Sequence, residues 1–307
     1  MDNTLAFALA LSSALCFAVA SVLQARVAAQ APARLSLSPA LLVYLARRRQ
    51  WLLGVLVMAV GNVLQAAALG YGSLALVEPM QVSALLFALP LGAAISRQHL
   101  TRQEWVAALA VSGGLAGLMA VSGAAPGQRD ATTSDWLLSG VATASTATLL
   151  AFAGRGRSAV PRATLYAAAG GVMFGLQDAL TKSGFAGLGG GVDHLLATWQ
   201  PYALLGAALY GLLLVQSAYK TAPLPVSLPP LLICEPLAGT LIGVTTFGER
   251  PRVGGLWLVP ELVAAAVMVA GAHTLARSPL VTGHSRAAHA ALTARAATGR
   301  VARRVAA

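Results

Sequence analysis

The chain has 307 residues, 57% of them hydrophobic and only 10% charged, with a mean hydropathy of +0.71. A water-soluble protein of this length needs far more charge to cover its surface, so that class is excluded. The formal net charge is +11, but the basic residues sit between and after apolar runs, a placement that points to a membrane surface and away from nucleic acid.

Nine runs are each long enough to cross about 30 Å of hydrocarbon. In chain order they are Leu5–Leu23, Trp51–Leu69, Leu74–Ile95, Trp105–Val121, Trp136–Phe152, Ala163–Leu180, Tyr202–Ala218, Leu224–Phe247 and Leu256–Leu275. The first run follows Asp2 rather than Lys or Arg and is too long for the apolar region of a signal peptide, so it is expected to stay as a helix. The stretch Leu35–Ala46 is too short to span and is expected to be re-entrant or interfacial. Cys16 and Cys234 both fall inside runs and read as packing residues.

Nine crossings put the two termini on opposite sides, and Lys/Arg asymmetry sets the orientation. With the N-terminus outside and the C-terminus cytoplasmic, 17 of the 21 Lys and Arg are cytoplasmic. Only Arg129, Lys182, Arg250 and Arg252 remain outside. The expected location is therefore the cytoplasmic (inner) membrane. Residues 278–307 form a basic tail without acidic or aromatic residues, suited to lie against anionic lipid.

The chain also repeats itself. Leu15-Cys16-Phe17-Ala18 is similar to Val172-Met173-Phe174-Gly175, an offset of 157, and Leu64-Gln65-Ala66-Ala67 to Val215-Gln216-Ser217-Ala218, an offset of 151. Pro79 meets Pro230 at 151 and Trp105 meets Trp257 at 152. The expected architecture is an all-α polytopic membrane protein with one transmembrane domain over residues 1–277. Repeat 1 covers about 5–121, a linking helix covers 136–152, and repeat 2 covers about 163–276. Each repeat has four helices, and the central helix inverts the second relative to the first. Inverted repeats are a common architecture of secondary transporters, with the solute site at the repeat interface near the midplane.

Further residues carry a family resemblance. They are Ser13-Ala14-Leu15-Cys16-Phe17-Ala18 in a first helix ending at Gln24 and a basic stretch, Trp51-Leu52-Leu53-Gly54 opening the second, and Leu76-Val77-Glu78-Pro79-Met80 early in the third. Gly248-Glu249-Arg250 precedes the last helix, whereas the equivalent turn of the first half reads Ser96-Arg97-Gln98. Over residues 5–276 the chain resembles the drug/metabolite transporter (EamA-like) superfamily, nearest its nine-helix branch of NIPA-type magnesium transporters. The resemblance implies transport of a small solute or, in the magnesium branch, of a divalent cation. The fold alone does not name the solute.

Four carboxylates fall within the runs: Glu78, Asp178, Glu235 and Glu261. A charge at mid-bilayer is costly, so each should face the bundle interior or a wet cavity. Glu235 lies deepest, and the other three fall in the outer third. Together they describe an acidic funnel, although Asp178 can also pair with Lys182 one turn on, and Glu261 can reach headgroup water. Glu78 and Glu235 are the candidates for proton coupling, or for a cation if the chain is a permease. Mg²⁺ keeps several waters and needs only one or two carboxylates. The polar residues Asn62, Gln65, Gln81, Gln177 and Gln216 suit interhelical hydrogen bonds or solute contacts. Pro79, Pro230 and Pro236, with Pro90 and Pro229, fall in the third and eighth helices, where each frees a carbonyl one turn back.

The expected function is secondary transport of a small solute by alternating access. A magnesium or other divalent-cation permease is one alternative, and a non-transporting scaffold or accessory subunit is another. No cofactor is expected, and no nucleophile–base pair or phosphate loop points to an enzyme; Gly189-Gly190-Gly191 lacks the Lys-Ser/Thr of such a loop. The expected partners are the lipid bilayer, the solute or cation, and a second copy of the chain.

Overall fold

In hydrocarbon a backbone must satisfy its own hydrogen bonds, and long apolar segments do so as helices. The computed structural model describes residues 3–71, 80–95, 99–122, 131–187, 197–248 and 258–277, and among these no strand occurs. The described residues form ten α-helices, in order: α1 (Asn3–Ala28), α2 (Pro39–Ala46), α3 (Arg49–Tyr71), α4 (Ala84–Ile95), α5 (Arg102–Ser122), α6 (Thr133–Gly154), α7 (Ala159–Gly187), α8 (Gln200–Thr221), α9 (Leu224–Phe247) and α10 (Leu258–Ala276). Six of them, α1, α3, α6, α8, α9 and α10, are long and apolar enough to cross a membrane. The exterior agrees with that make-up: Val63, Leu137, Leu138, Leu149 and Phe152 are each 66% or more exposed, a surface that suits lipid and not water.

Some expectations are refined by this picture. The stretch Leu35–Ala46 is a 3₁₀ turn at Ala33–Leu35 followed by the eight-residue α2, far too short to span; α2 packs against α8 and α3. Of the third apolar run, the described part is Met80–Ile95 with α4 inside it. Glu78, Pro79, Ser96-Arg97-Gln98, Gly189-Gly190-Gly191, Glu249-Arg250, Trp257 and the tail 278–307 lie outside the described residues.

The helix ends are set by local chemistry. At α5 the Thr101 amide donates to Glu104 Oε2 (2.7 Å) and the Glu104 amide donates to Thr101 Oγ1 (3.3 Å), a reciprocal capping box. Thr132 and Asp135 form the same box at α6. At the other end of α9, Gly248 takes a left-handed φ of 63° as its C-cap, where a side chain would be strained. Thr101→Ala should lower stability by about 1 kcal/mol, measured as a lower melting temperature of the detergent-solubilised chain.

Packing depends on small residues, since lipid tails supply no hydrophobic drive between helices. α3 lies along α1, and α7 contacts α6, α8 and α9. Added Cβ atoms show how close the backbones are. One at Gly175 would come within 2.6 Å of Glu235 O and 2.7 Å of Gly239 N, and one at Gly171 within 2.5 Å of Leu231 O. α5 lies along α10 in a reciprocal fit. A Cβ at Gly114 would meet Ala264 O at 2.7 Å and Met268 Cβ at 2.9 Å, while one at Gly271 would meet Ala107 O at 2.7 Å and Val111 Cγ2 at 2.9 Å. Residue 107 thus lies opposite 271, and 114 opposite 264, so the two helices are antiparallel. α4 touches α1, α5 and α9, and α10 also touches α9.

Candidate functional site

The polar residues inside the bundle gather in layers along α7, α8 and α9. The lowest layer is basic. α6 ends and α7 begins around Arg155, Arg157 and Arg162. Arg162 is near enough to act electrostatically on Lys220 at the end of α8. The Lys220 ammonium donates to Ala33 O (2.9 Å) and Ser36 Oγ (2.6 Å). Leu37, held at a left-handed φ of 56°, donates its amide to Ser217 Oγ (3.0 Å). The 3₁₀ segment is thereby tied to the end of α8.

Above this layer α1 meets α8. Gln216 Nε2 donates to Gln24 Oε1 at 2.6 Å, and both side chains are buried. Their other amide atoms, Gln24 Nε2 and Gln216 Oε1, are buried with no protein partner. Beside them the buried Tyr219 shares a hydrogen bond with Ser21 and lies within electrostatic reach of Glu235. Glu235 sits 11 residues beyond Leu224 on α9, about 16 Å from the start of that helix at 1.5 Å per residue. It is half-buried where α9 approaches Gly171 and Gly175.

The upper layer is open. On α7, Gly170 faces α8 at Val215, and Gly171 and Gly175 face α9. With 3.6 residues per turn, Asp178 falls between those two faces, on the side of α7 that looks into the cleft between α8 and α9. It is exposed there, with Gln177 and Thr181 half-buried beside it. Lys182, one turn on, places its ammonium 4.8 Å from the centre of the Phe247 ring at the end of α9.

Tyr219, one turn beyond Gln216 on α8, therefore links the amide pair to Glu235, and Asp178 faces the cleft above them, with Gln177 on the α8 side of α7. Gln81 belongs to a second node: its Nε2 donates to Ser13 Oγ (3.1 Å), whose hydroxyl donates to Gly61 O (2.8 Å). Gln65 is half-buried and Asn62 exposed on α3. Glu261 stands apart, buried in the first turn of α10, where the helix N-terminus favours a carboxylate. Pro230 and Pro236, with Pro229, lie inside α9, which continues unbroken through all three, and Pro90 lies inside α4. Among the described residues no three His, Cys, Asp or Glu side chains converge to hold a metal.

Three participants were not among the expected site residues: Gln24, Ser21 and Tyr219. Glu104, 2% exposed, is a fourth buried polar group absent from that set, and it serves the α5 cap. An apolar cavity of about 290 Å³ lies elsewhere, between α6, α7 and α8, walled by Trp136, Met173, Leu176, Trp199 and Tyr210. It carries none of these polar groups.

No family model and no solved structure matches the chain. A relative does: an uncharacterized protein of Corynebacterium glutamicum is 30% identical over 292 residues, which cover 93% of this chain and 99% of that protein. The chain belongs to the same family as this corynebacterial protein.

Proposed function

We propose that the protein is a secondary transporter of the drug/metabolite superfamily, moving a small solute across the cytoplasmic membrane by alternating access between two inverted halves. The reciprocal fit of α5 and α10 carries this reading. Ala107, Val111 and Gly114 stand 157 positions before Ala264, Met268 and Gly271, and each glycine meets the other set. Such a self-complementary contact belongs to elements related by a two-fold axis. For antiparallel helices that cross a bilayer, the axis lies in the membrane plane, the symmetry of inverted repeats.

Other contacts follow the same pairing. α1 against α3 answers α7 against α8, α1 against α4 answers α7 against α9, and α4 against α5 answers α9 against α10. In this reading α4, α5 and α7 join α1, α3, α6, α8, α9 and α10 to make nine crossings, with α6 linking α1–α5 to α7–α10. Glu235, at mid-depth beside Tyr219 and below the exposed Asp178, is the group that couples a proton to the solute.

The test uses the purified full chain in proteoliposomes, with an internal pH dye and an internal magnesium dye read together against a panel of organic solutes. A solute gradient that drives a saturable pH change, absent from protein-free vesicles, is the expected result. Saturable Mg²⁺ entry alone would replace this reading with a divalent-cation permease. Silence in both channels, from folded and inserted protein, would leave a scaffold role. Orientation is tested separately. In chains lacking the native thiols, Thr132→Cys should react with an impermeant maleimide added outside cells, and Ser158→Cys only after the cytoplasmic side is opened; both positions are exposed.

A further inference from the structure

We infer that the Gln24–Gln216 amide pair is the gate that closes the basic end of the solute path, and that the structure holds this gate shut with the opposite end open. The inference rests on the transporter reading and adds to it the state and the closing residues.

Asymmetry between matching contacts supports it. α1 packs against α8 near the basic end, whereas among the described residues α3 has no comparable contact with α7, the pair that corresponds to it under the exchange of halves. Gln24 and Gln216 are buried at one end, while Asp178 is exposed on the cleft-facing side of α7 towards the other. A symmetric molecule would close both ends alike. The departure from symmetry is what alternating access requires of any single state.

The closure is built to open. A buried amide pair could make several hydrogen bonds, but this one makes a single bond and leaves Gln24 Nε2 and Gln216 Oε1 without partners. Separating the helices lets water satisfy both, which offsets part of the cost of breaking that bond and the Leu37–Ser217 and Lys220–Ser36 ties beside it. The latch beneath is similarly poised. Leu37 holds a left-handed backbone that a leucine seldom adopts, while its amide bonds to Ser217. Parting α8 from the 3₁₀ segment frees Leu37 to relax. Tyr219 connects the gate to the site, since its hydroxyl contacts Ser21 of α1 while its surroundings include Glu235. Glu235 is thus within electrostatic reach of the residue that helps hold α1 against α8.

The experiment reads accessibility and needs no solute. In chains carrying Cys16→Ser, Cys234→Ser and Thr181→Cys, an impermeant maleimide is applied to either side of sealed, oriented vesicles. The cleft thiol should react from the side opposite the basic loops and resist from the basic side. Gln216→Ala strands Gln24 entirely and should raise labelling from the basic side about fivefold to tenfold. The double change Gln24→Leu with Gln216→Leu removes the unpaired polar atoms and should lower it below the parent while the protein stays folded. Equal labelling from the basic side in all three chains, or ready labelling of the parent from that side, would overturn the gate. A chain that moves no solute would still give the labelling pattern, so failure of the transporter reading appears in flux and failure of the gate appears here.

Discussion

Gly114→Val should cost about 3 kcal/mol or more of stability, while Gly113→Val, one residue away, should cost almost nothing. The contrast follows from what a side chain would meet. At Gly113 there is nothing within 4 Å, whereas at Gly114 the nearest atoms are the Ala264 carbonyl, the Met268 Cβ and the Met268 amide. Two of those are backbone atoms that cannot turn aside, so α5 and α10 must separate along their length. Gly271→Val should behave like Gly114→Val, because it strikes Ala107 O and Val111 from the other helix. The double variant should cost clearly less than the sum, since the first change has already parted the same surface. Melting temperature and the monodisperse fraction in detergent check all four chains. Equal losses at 113 and 114 would mean that glycine is needed there for some reason other than close packing.

Glu235→Gln should bring solute-driven proton movement down to the level of empty vesicles while leaving the fold intact. Glutamine keeps the shape and the hydrogen-bonding capacity of the side chain but cannot exchange a proton. Glu235 is half-buried at mid-depth on α9, with Tyr219 in electrostatic reach, and its main chain is fixed by the approach to Gly171 and Gly175. Glu261→Gln is the fitting control, because that carboxylate lies in the first turn of α10, away from the cleft. It should alter stability without abolishing flux. Solute exchange without a pH gradient separates two outcomes in Glu235→Gln: preserved exchange identifies a coupling group, and lost exchange identifies a binding group. If Glu261→Gln silenced the protein and Glu235→Gln did not, the path would have to run beside α10.

The apolar skeleton was legible in the sequence because membrane length and hydropathy act locally. The runs at Leu5–Leu23, Trp51–Leu69, Trp136–Phe152 and Tyr202–Ala218 all sit inside longer helices. Helix ends were less legible, since α7 continues from Leu180 to Gly187 through Thr181, Lys182 and Ser183, polar residues at which the apolar run stops. Gln216 and Glu235 stood out as polar residues within apolar runs. Gln24 did not, because it lies near Arg26, where a polar residue ordinarily meets headgroups. It is buried by contact with α8, 192 positions away, and by packing against Gly54 of α3. Tyr219 was hidden for the same reason beside Lys220. The offset of 152 drawn from Trp105 and Trp257 concerned a residue outside the described set, whereas the α5–α10 fit pairs positions at 157. Periodicity cannot choose between such registers.

The α5–α10 contact also fixes an order of events during synthesis. α5 ends at Ser122 and its partner begins at Leu258, so at 5–20 residues per second the ribosome needs on the order of ten to thirty seconds to supply the matching surface. Through that interval the glycine face of α5 has no α10 to lie on, and the nascent chain must be shielded by lipid, by other helices or by the insertion machinery. A chain that stops before Leu258 never receives the matching surface. Loss of the last helix should therefore be read by cellular quality control as failure of the first half.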